Sequence, residues 1–210
     1  LLLSKSGSKT IKFIDRTFNA NKERAKEIVS FIIENYSKEI PEDICFHFEI
    51  AADIMTEELF GVIETLPVGS VQFEVGIQSF NENTLKAINR KTDTERVVEN
   101  VKRLVAMRNC HVHIDLIAGL PHEGYESFAD GFNRAYSMGA DMLQLGFLKI
   151  LKGSPMGENA EKYPCEYSPL PPYEVISTPY ITAEQLQKLH ELLNTLYDCK
   201  KAGCTKPYSL

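Results

Sequence analysis

The sequence lacks three features that would each assign it to a broad class of protein. No apolar run approaches the roughly 20 residues of a membrane-spanning helix, and the net charge of −6 argues against a nucleic-acid or anionic-membrane surface. The opening residues 1–10 are too short for a signal peptide and carry no cleavage region. With 43% hydrophobic and 25% charged residues, the composition predicts a soluble globular protein with neither membrane nor nucleic acid as a partner.

Cysteine is present, but not in the spacing of a metal or disulfide framework. The five cysteines lie at positions 45, 110, 165, 199 and 204. An odd, dispersed set favours a reducing cytoplasm over a disulfide scaffold. Only Cys199 and Cys204 are close, and two thiols supply at most half of a tetrahedral site, so no metal ligands are assigned.

What the sequence does contain is a regular alternation of strand and helix patterns. Apolar runs with strand character cover residues 11–18, 45–51, 71–79, 111–120 and 142–151. Helical patterns lie between them, at 21–36 with Asn19 as N-cap, at 56–66, in two pieces broken around 91–92, and at 125–139. Crossovers of this length predict parallel strands with helices outside, in a (β/α) barrel or an open doubly wound sheet.

The rhythm stops near residue 155. Residues 162–181 contain five prolines, which argues against a regular ladder. A helix is predicted from about 183 to 200, with an apolar stripe formed by Leu186, Leu189, Leu192, Leu193 and Leu196. We therefore predict a core domain over 1–155 and a C-terminal extension over 156–210.

Period-two alternation gives the predicted strands one apolar and one polar face. Because helices can cover only the apolar faces, the polar faces must point inward, which concerns Asp15, Glu49, Glu74, Gln78, Asp115 and Gln144. Burial of such groups without partners costs about 1–3 kcal/mol each. The pattern therefore predicts a cavity that binds a polar small molecule, with His47, His111 and His113 as core groups bonded to backbone.

Two loops next to these strands support a ligand site. Gly119 and Pro121 turn the chain sharply after the fourth strand and predict exposed peptide groups there. Arg90 ends a short helix, from which its guanidinium can bind a carboxylate with two hydrogen bonds.

Three stretches resemble the radical SAM enzymes. The run "VQFEVGIQSFNENTLKAINR" (71–90) resembles the fourth-strand signature of the branch that includes oxygen-independent coproporphyrinogen oxidase, tRNA methylthiotransferases and cobalamin-dependent members. "HIDLIAGLPHEGYESF" (113–128) is similar to the fifth-strand signature. "FIDRTFNANKERA" (13–25) is similar to the second strand and helix of cobalamin-type Fe–S oxidoreductases. The resemblance covers roughly residues 11–155.

The resemblance implies a partial (β/α)6 TIM-like barrel in which strands 2–6 are present. Such a barrel holds S-adenosylmethionine (SAM) against a [4Fe–4S] cluster. An external electron donor of the flavodoxin or ferredoxin type reduces the cluster, and reductive cleavage of SAM releases a 5′-deoxyadenosyl radical. For the full-length protein the resemblance also implies cobalamin as a candidate cofactor.

Site residues follow from motif positions in this sequence. By resemblance, Glu49 meets the methionyl or ribose polar groups of SAM, and Gln78 and Asp115 bond the ribose hydroxyls. Arg90 takes the carboxylate.

The same resemblance places the adenine. Ile117 packs beside the ring, and the backbone from Phe147 to Lys149 offers it hydrogen bonds. No catalytic residue is assigned.

One departure from the family pattern is severe, because the C-x3-C-x2-C loop of the cluster does not occur in the sequence. We therefore expect a fragment without its first strand and cluster ligands, inactive alone. Its parent is expected to be a radical SAM Fe–S enzyme, either a cobalamin-dependent methyltransferase or an oxidoreductase.

Two other interpretations stay open at this point. One is a non-catalytic (β/α) barrel that binds a small molecule or scaffolds a partner. The other is a barrel lyase or aldolase, for which Lys149 is the only inward lysine candidate.

Overall fold

The strands and helices follow one another in the predicted alternation. A computed structural model describes residues 7–201, and the side chains of residues 7–194. The strands are β1 (Thr10–Lys12), β2 (Cys45–Ile50), β3 (Val71–Gln78), β4 (His111–Ala118), β5 (Met142–Phe147), β6 (Glu166–Tyr167) and β7 (Val175–Ser177). The α-helices are α1 (Lys22–Asn35), α2 (Glu57–Ile63), α3 (Glu82–Ala87), α4 (Thr94–Met107), α5 (Tyr125–Tyr136), α6 (Pro155–Glu158) and α7 (Ala183–Lys201). Short 3-10 helices cover Phe18–Ala20 and Ala52–Ile54.

One five-stranded sheet has the order β1-β2-β3-β4-β5, so strands that follow one another in sequence are also neighbours in the sheet. β1 runs parallel to β2 and β2 runs parallel to β3, with Thr10 opposite Cys45 and Phe46 opposite Val71. Parallel neighbours require crossover connections, and the helices lie in those connections. The predicted α/β class, with parallel strands alternating with helices, is confirmed.

The strands of this sheet also show the predicted difference between their two faces. Along β3 the residues alternate from buried Val71 to half-buried Gln78 without interruption. In β2 the half-buried set includes Glu49. In β4 it includes Asp115 and Ile117. The apolar faces of β2, β3 and β4 are therefore in the core, and their polar faces keep partial access.

The chain divides into two compact units. The first comprises the described residues up to Ile77 together with Thr92–Asp115 and Ala135–Gln144. Its core includes an aromatic stack in which the rings of Phe18 and Phe48 lie 4.0 Å apart between centroids. Stacked rings add to the free energy gained by burying their apolar area.

The second unit comprises Gln78–Lys91, Leu116–Arg134 and the described residues from Leu145 onward. Within it β6 and β7 pair antiparallel, and α7 contacts β7. Leu186 and Leu189 of α7 are buried, as the predicted stripe requires.

The predicted cap of the first helix is wrong. Asn21, not Asn19, is the N-cap of α1, and its side chain accepts a hydrogen bond from the Arg24 amide. Asn19 is only 1% exposed; its amide group donates to the carbonyl of Ala51 at 2.8 Å and accepts from the Ala51 amide at 2.9 Å. Asn19 therefore bonds the backbone of Ala51, although local preference predicted that it would cap the helix.

The first predicted strand is too long. β1 ends at Lys12, and the Phe13 amide makes a further bond, of 3.0 Å, to the carbonyl of His47. Asp15, predicted on the inward face of this strand, lies beyond its end and pairs with Arg24 of α1 at 3.0 Å. The 3-10 helix Phe18–Ala20 follows before α1 begins.

The proline-rich segment carries only a short, irregular ladder, as its prolines predict. Glu166 of β6 lies opposite Ser177 of β7. The prolines lie outside these two strands, so no ladder hydrogen bond is lost. The side chains of Leu196, Cys199 and Cys204, which figured in the sequence analysis, lie outside the described residues. The domain division at residue 155 stays a prediction.

No helix among residues 7–201 has the length and apolar character to cross a membrane.

Candidate active site

The predicted site residues lie in or just after the carboxyl-terminal halves of their strands, apart from Arg90, which follows α3. Glu49 is in β2, Gln78 ends β3, Asp115 and Ile117 are in β4, Phe147 ends β5 and Lys149 follows it. Parallel α/β folds build their sites at these strand ends.

In the first unit, Glu74 of β3 belongs to an ion-paired cluster. Its Oε2 atom lies 2.6 Å from Nε2 of His47 and 2.9 Å from Nζ of Lys12. Burial acts to raise the pKa of Glu74, but the hydrogen bonds and charges of Lys12 and His47 outweigh it and lower the pKa below its ordinary value. Glu74 is therefore an ionised carboxylate with partners in β1 and β2.

Glu49 is the register partner of Glu74 across β2 and β3. Its side chain is half-buried on the polar face of β2. The structure thus brings Glu49 next to the Lys12–His47–Glu74 cluster in register.

Asp115 is placed beside a buried histidine of its own strand. Oδ1 of Asp115 lies 3.0 Å from Nε2 of His113, whose side chain is 9% exposed. The pair does not meet hydrogen-bond angles, and Oδ1 has no other partner among the described residues. His47 and His113 were expected to bond backbone, and both instead face carboxylates.

In the second unit, Gln78 has an unusual backbone and an unpaired side chain. Its φ is 70°, a left-handed value that non-glycine residues adopt at some cost in free energy. Its Oε1 atom is buried and has no hydrogen-bond partner in the described part of the chain. A buried acceptor without a partner costs about 1–3 kcal/mol, and a bound donor would remove that cost.

Arg90 follows α3, where its amide bonds the carbonyl of Leu85 at 2.8 Å. Its side chain is half-buried, yet no carboxylate among residues 7–194 forms an ion pair with it. A partly desolvated guanidinium without a partner suits an external carboxylate.

The stretch after β5 leaves one backbone donor available. Leu148 uses both its amide, bonded to the carbonyl of Ala118 at 2.9 Å, and its carbonyl, bonded to the amide of Val175 at 2.9 Å. Lys149 forms a bridge opposite Glu174 in which its own amide makes no backbone bond to any described residue. Its side chain is exposed, so the predicted backbone role fits Lys149 better than an inward nucleophile does.

Ile117 and Phe147 differ in access. Ile117 is half-buried, and a Cβ added to Gly146 would lie 3.8 Å from its Cγ1 atom. Ile117 thus packs close to Gly146 while part of its surface stays accessible. Phe147 has its ring stacked on His190 at 3.5 Å between centroids, so only its backbone is available.

A buried cluster at the exit of β3 was missed by the sequence analysis. The Ser79 hydroxyl donates to Oε1 of Glu123 at 2.6 Å and accepts from the Asn81 amide at 2.9 Å. Both Ser79 and Glu123 are 2% exposed. Burial raises the pKa of Glu123 to about 7, and the Ser79 hydrogen bond lowers it only in part. The signal was a carboxylate two positions after the apolar run 116–121.

The described thiols do not form a metal centre. Cys45, Cys110 and Cys165 are free, and no group of three or more His, Cys, Asp or Glu side chains that could hold a metal occurs within the described residues. Burial raises the pKa of Cys110 to about 11, with a contribution from Asp141, so it stays a protonated thiol.

The profile of the Radical SAM superfamily matches residues 2–135, well over half of the chain. The chain belongs to the radical SAM superfamily. The resemblance inferred from the three quoted stretches is thereby confirmed.

Relatives share shorter stretches with this radical SAM chain. Anaerobilin synthase of Escherichia coli O157:H7 is 30% identical over 96 residues, which is 46% of this chain and 22% of that protein. The chain spans about a fifth of the length of the curated relatives that it matches first.

Solved structures of radical SAM enzymes share the fold. Coproporphyrinogen III oxidase of Escherichia coli aligns with a TM-score of 0.63 at 18% identity, over 89% of this chain and 40% of that one. The radical SAM methyltransferase TsrM of Kitasatospora setae, solved with cobalamin and a [4Fe–4S] cluster, aligns with a TM-score of 0.63 at 18% identity, over 80% of this chain and 31% of that one. Identity this low shows the fold alone, and the fold is the predicted partial barrel class.

The two cofactors of the family differ in how they fit these residues. The unpaired Oε1 of Gln78, the unpaired half-buried Arg90 and the available Lys149 amide together offer an acceptor, a cation and a donor, which suit the hydroxyl, carboxylate and purine groups of SAM. A [4Fe–4S] cluster does not fit the described residues, because they supply no set of thiolates for it.

Proposed function

We propose that this chain is the SAM-binding portion of a radical SAM Fe–S enzyme. The observation that carries the proposal is Gln78, whose Oε1 atom is buried without a partner at a strained strand end. Strain and an unpaired acceptor at one residue are features of a binding position, since neither stabilises the free protein.

Gln78 and Asp115 accept hydrogen bonds from the ribose hydroxyls in this proposal. Arg90 pairs with the methionyl carboxylate, and Glu49 receives a donor group of the methionyl or ribose part. Carboxylates and amides suit hydroxyl and ammonium donors, and a guanidinium suits a carboxylate.

The adenine lies beside Ile117 and takes a hydrogen bond from the Lys149 amide. The partial exposure of Ile117 supports this position. Phe147 contributes its backbone only.

When bound to a reduced cluster, SAM supplies a 5′-deoxyadenosyl radical. The chain's own residues bind and orient SAM, and the ligands of the cluster are not among those described. We further propose the cytoplasm as the compartment and a flavodoxin- or ferredoxin-type protein as the electron donor. The dispersed thiols support the compartment.

The finer reaction we propose is a cobalamin-dependent methyl transfer, with oxidoreductase chemistry as the alternative. The structural likeness to TsrM, solved with cobalamin bound, supports the first. The test is made on the full-length protein, reconstituted anaerobically with iron and sulfide and reduced in the presence of SAM. We expect 5′-deoxyadenosine or S-adenosylhomocysteine to form, each detected by mass spectrometry. The absence of both products would contradict the proposal.

SAM binding itself is tested by calorimetry on the 210-residue chain. Gln78→Ala is expected to weaken SAM binding about tenfold, as loss of one buried hydrogen bond should. Gln72→Ala is the matched control, because Gln72 lies on the same half-buried face at the other end of β3. Equal affinity in the wild type and Gln78→Ala, or no binding by the wild type, would refute the proposed role.

A second candidate is a non-catalytic barrel that binds a small molecule or a partner. The lack of a cluster-ligand set among the described residues favours it. It predicts SAM or nucleoside binding with no radical product from the full-length protein under any reducing condition.

A further inference from the structure

Directly after β3, a network of hydrogen-bonded polar side chains holds the backbone in place within the second unit. Ser79 follows Gln78 directly, and its hydroxyl bonds Glu123 Oε1 at 2.6 Å and the Asn81 amide at 2.9 Å. The side chain of Asn81 donates to Ser127 Oγ at 3.0 Å and to the carbonyl of His122 at 3.3 Å. Hydrogen bonds from Ser79 and Asn81 thus connect the segment after β3 to the loop and helix that follow β4.

These contacts determine where α3 begins. Asn81 is the N-cap of α3 and accepts from the amides of Asn83 and Thr84 at 2.9 and 3.2 Å. Gln78 lies before this anchored cap and Arg90 lies after the helix it starts. The Ser79–Glu123 contact therefore fixes the backbone directly after Gln78, the residue whose side chain is proposed to bind SAM.

Contacts that hold the backbone at Gln78 are needed because its conformation is strained. A φ of 70° is sparsely populated for glutamine and persists only where its surroundings enforce it. The buried bond of the next residue, Ser79, to Glu123 is an enforcing contact of this kind. Oε2 of Glu123 has no partner among the described residues, so this carboxyl group is not satisfied by other parts of the fold.

We propose that Glu123, acting through Ser79, is a positioning residue for SAM: it holds Gln78 in the left-handed conformation from which the glutamine side chain reaches the ligand. The inference rests on the proposed function. It adds a residue that touches no ligand but controls one that does.

The experiment measures SAM affinity by calorimetry on the 210-residue chain and its variants. Ser79→Ala removes the bond to Glu123 and is expected to weaken SAM binding about tenfold. Ser70→Ala is the matched control, because Ser70 is 0% exposed, lies just before β3 and donates a bond of the same 2.6 Å length to the carbonyl of Pro67. It should lower the unfolding temperature similarly and leave SAM affinity within about twofold of wild type.

Two further variants separate positioning from general weakening. Glu123→Gln keeps an oxygen acceptor for Ser79 and is expected to keep SAM affinity within about twofold of wild type. In the Gln78→Ala background, adding Ser79→Ala should change affinity by less than about twofold, because the side chain being positioned is gone.

The outcomes distinguish the two claims. Wild-type affinity in Ser79→Ala, an equal loss in Ser70→Ala, or additive losses in the double variant would overturn the positioning role while leaving SAM binding through Gln78 intact. No SAM binding by the wild-type chain would overturn the proposed function and this inference together.

Discussion

At the scale of single residues, Arg90 makes the sharpest prediction about which part of SAM is recognised. Arg90→Ala should weaken SAM binding by tenfold or more, since a charge-assisted pair with a carboxylate is worth about 1.5–3 kcal/mol. Binding of 5′-deoxyadenosine, which has no carboxylate, should not change. Both affinities are measured by calorimetry.

The control for Arg90 is Arg96→Ala, because Arg96 is an exposed arginine near the start of α4. It should leave both affinities unchanged. A parallel loss of SAM and 5′-deoxyadenosine binding in Arg90→Ala would show that Arg90 supports the fold of the site and does not bind the carboxylate.

Glu123 makes a prediction about pH. Its folded-state pKa of about 7 lies above its ordinary value of 4.5. Between these values the folded chain holds a proton that the unfolded chain has released, so the free energy of unfolding falls as pH rises and levels off above about 7. The loss from this group amounts to roughly 3 kcal/mol.

Glu123→Gln removes this titration. Urea unfolding of wild type and Glu123→Gln at about pH 5 and about pH 8 should show the variant gaining relative stability at the higher pH. The difference in free energy of unfolding between the two proteins is compared at the two pH values. The contributions of other titrating groups cancel in this difference, including that of Glu74, whose pKa shifts the opposite way. A difference that is the same at both pH values would contradict burial of an ionisable Glu123.

The sequence could predict some of these residues and not others. Gln78 and Arg90 stand in a recognisable stretch, and period-two alternation alone put Gln78 on the polar face. The Ser79–Glu123 bond joins residues 44 positions apart. No local sequence pattern specifies which loop will contact the end of a strand, so the Ser79–Glu123 bond could not be predicted from the sequence.

At the scale of elements, the same distinction explains the error at Asn19. Capping preference is a local property, and both Asn19 and Asn21 satisfy it. The side chain of Asn19 instead forms hydrogen bonds with the backbone of Ala51, 32 residues away. Strand faces were predicted well because burial on one side dictates them, whereas apolar residues continue past Lys12, where β1 ends, and so did not mark the end of the strand.

This bridge yields a stability prediction. Asn19→Ala should lower the free energy of unfolding by roughly 2–4 kcal/mol, because it removes two bonds to Ala51 and leaves the amide of Ala51 unpaired. Asn21→Ala, which removes only an exposed cap, should cost about 1 kcal/mol. Urea unfolding measures both, and an equal loss in the two variants would mean that Asn19 is no more than a second cap.

At the scale of the whole molecule, the features needed for SAM and those needed for its reductive cleavage differ in where they are found. The proposed acceptor and purine-side groups lie at successive strand ends, and the proposed cation, Arg90, follows α3. Thiolates are not among these groups: the described cysteines have pKa values raised by burial. The proposal therefore treats recognition of SAM and assembly of the cluster as separable properties.

That separation can be measured directly. The 210-residue chain, treated anaerobically with iron and sulfide and then desalted, is expected to carry no [4Fe–4S] cluster by absorption and electron paramagnetic resonance, since its sequence contains no C-x3-C-x2-C spacing. The same sample should still bind SAM, and Gln78→Ala should still weaken that binding. A stoichiometric cluster would contradict the expectation, and serine variants of the five cysteines would then identify its ligands.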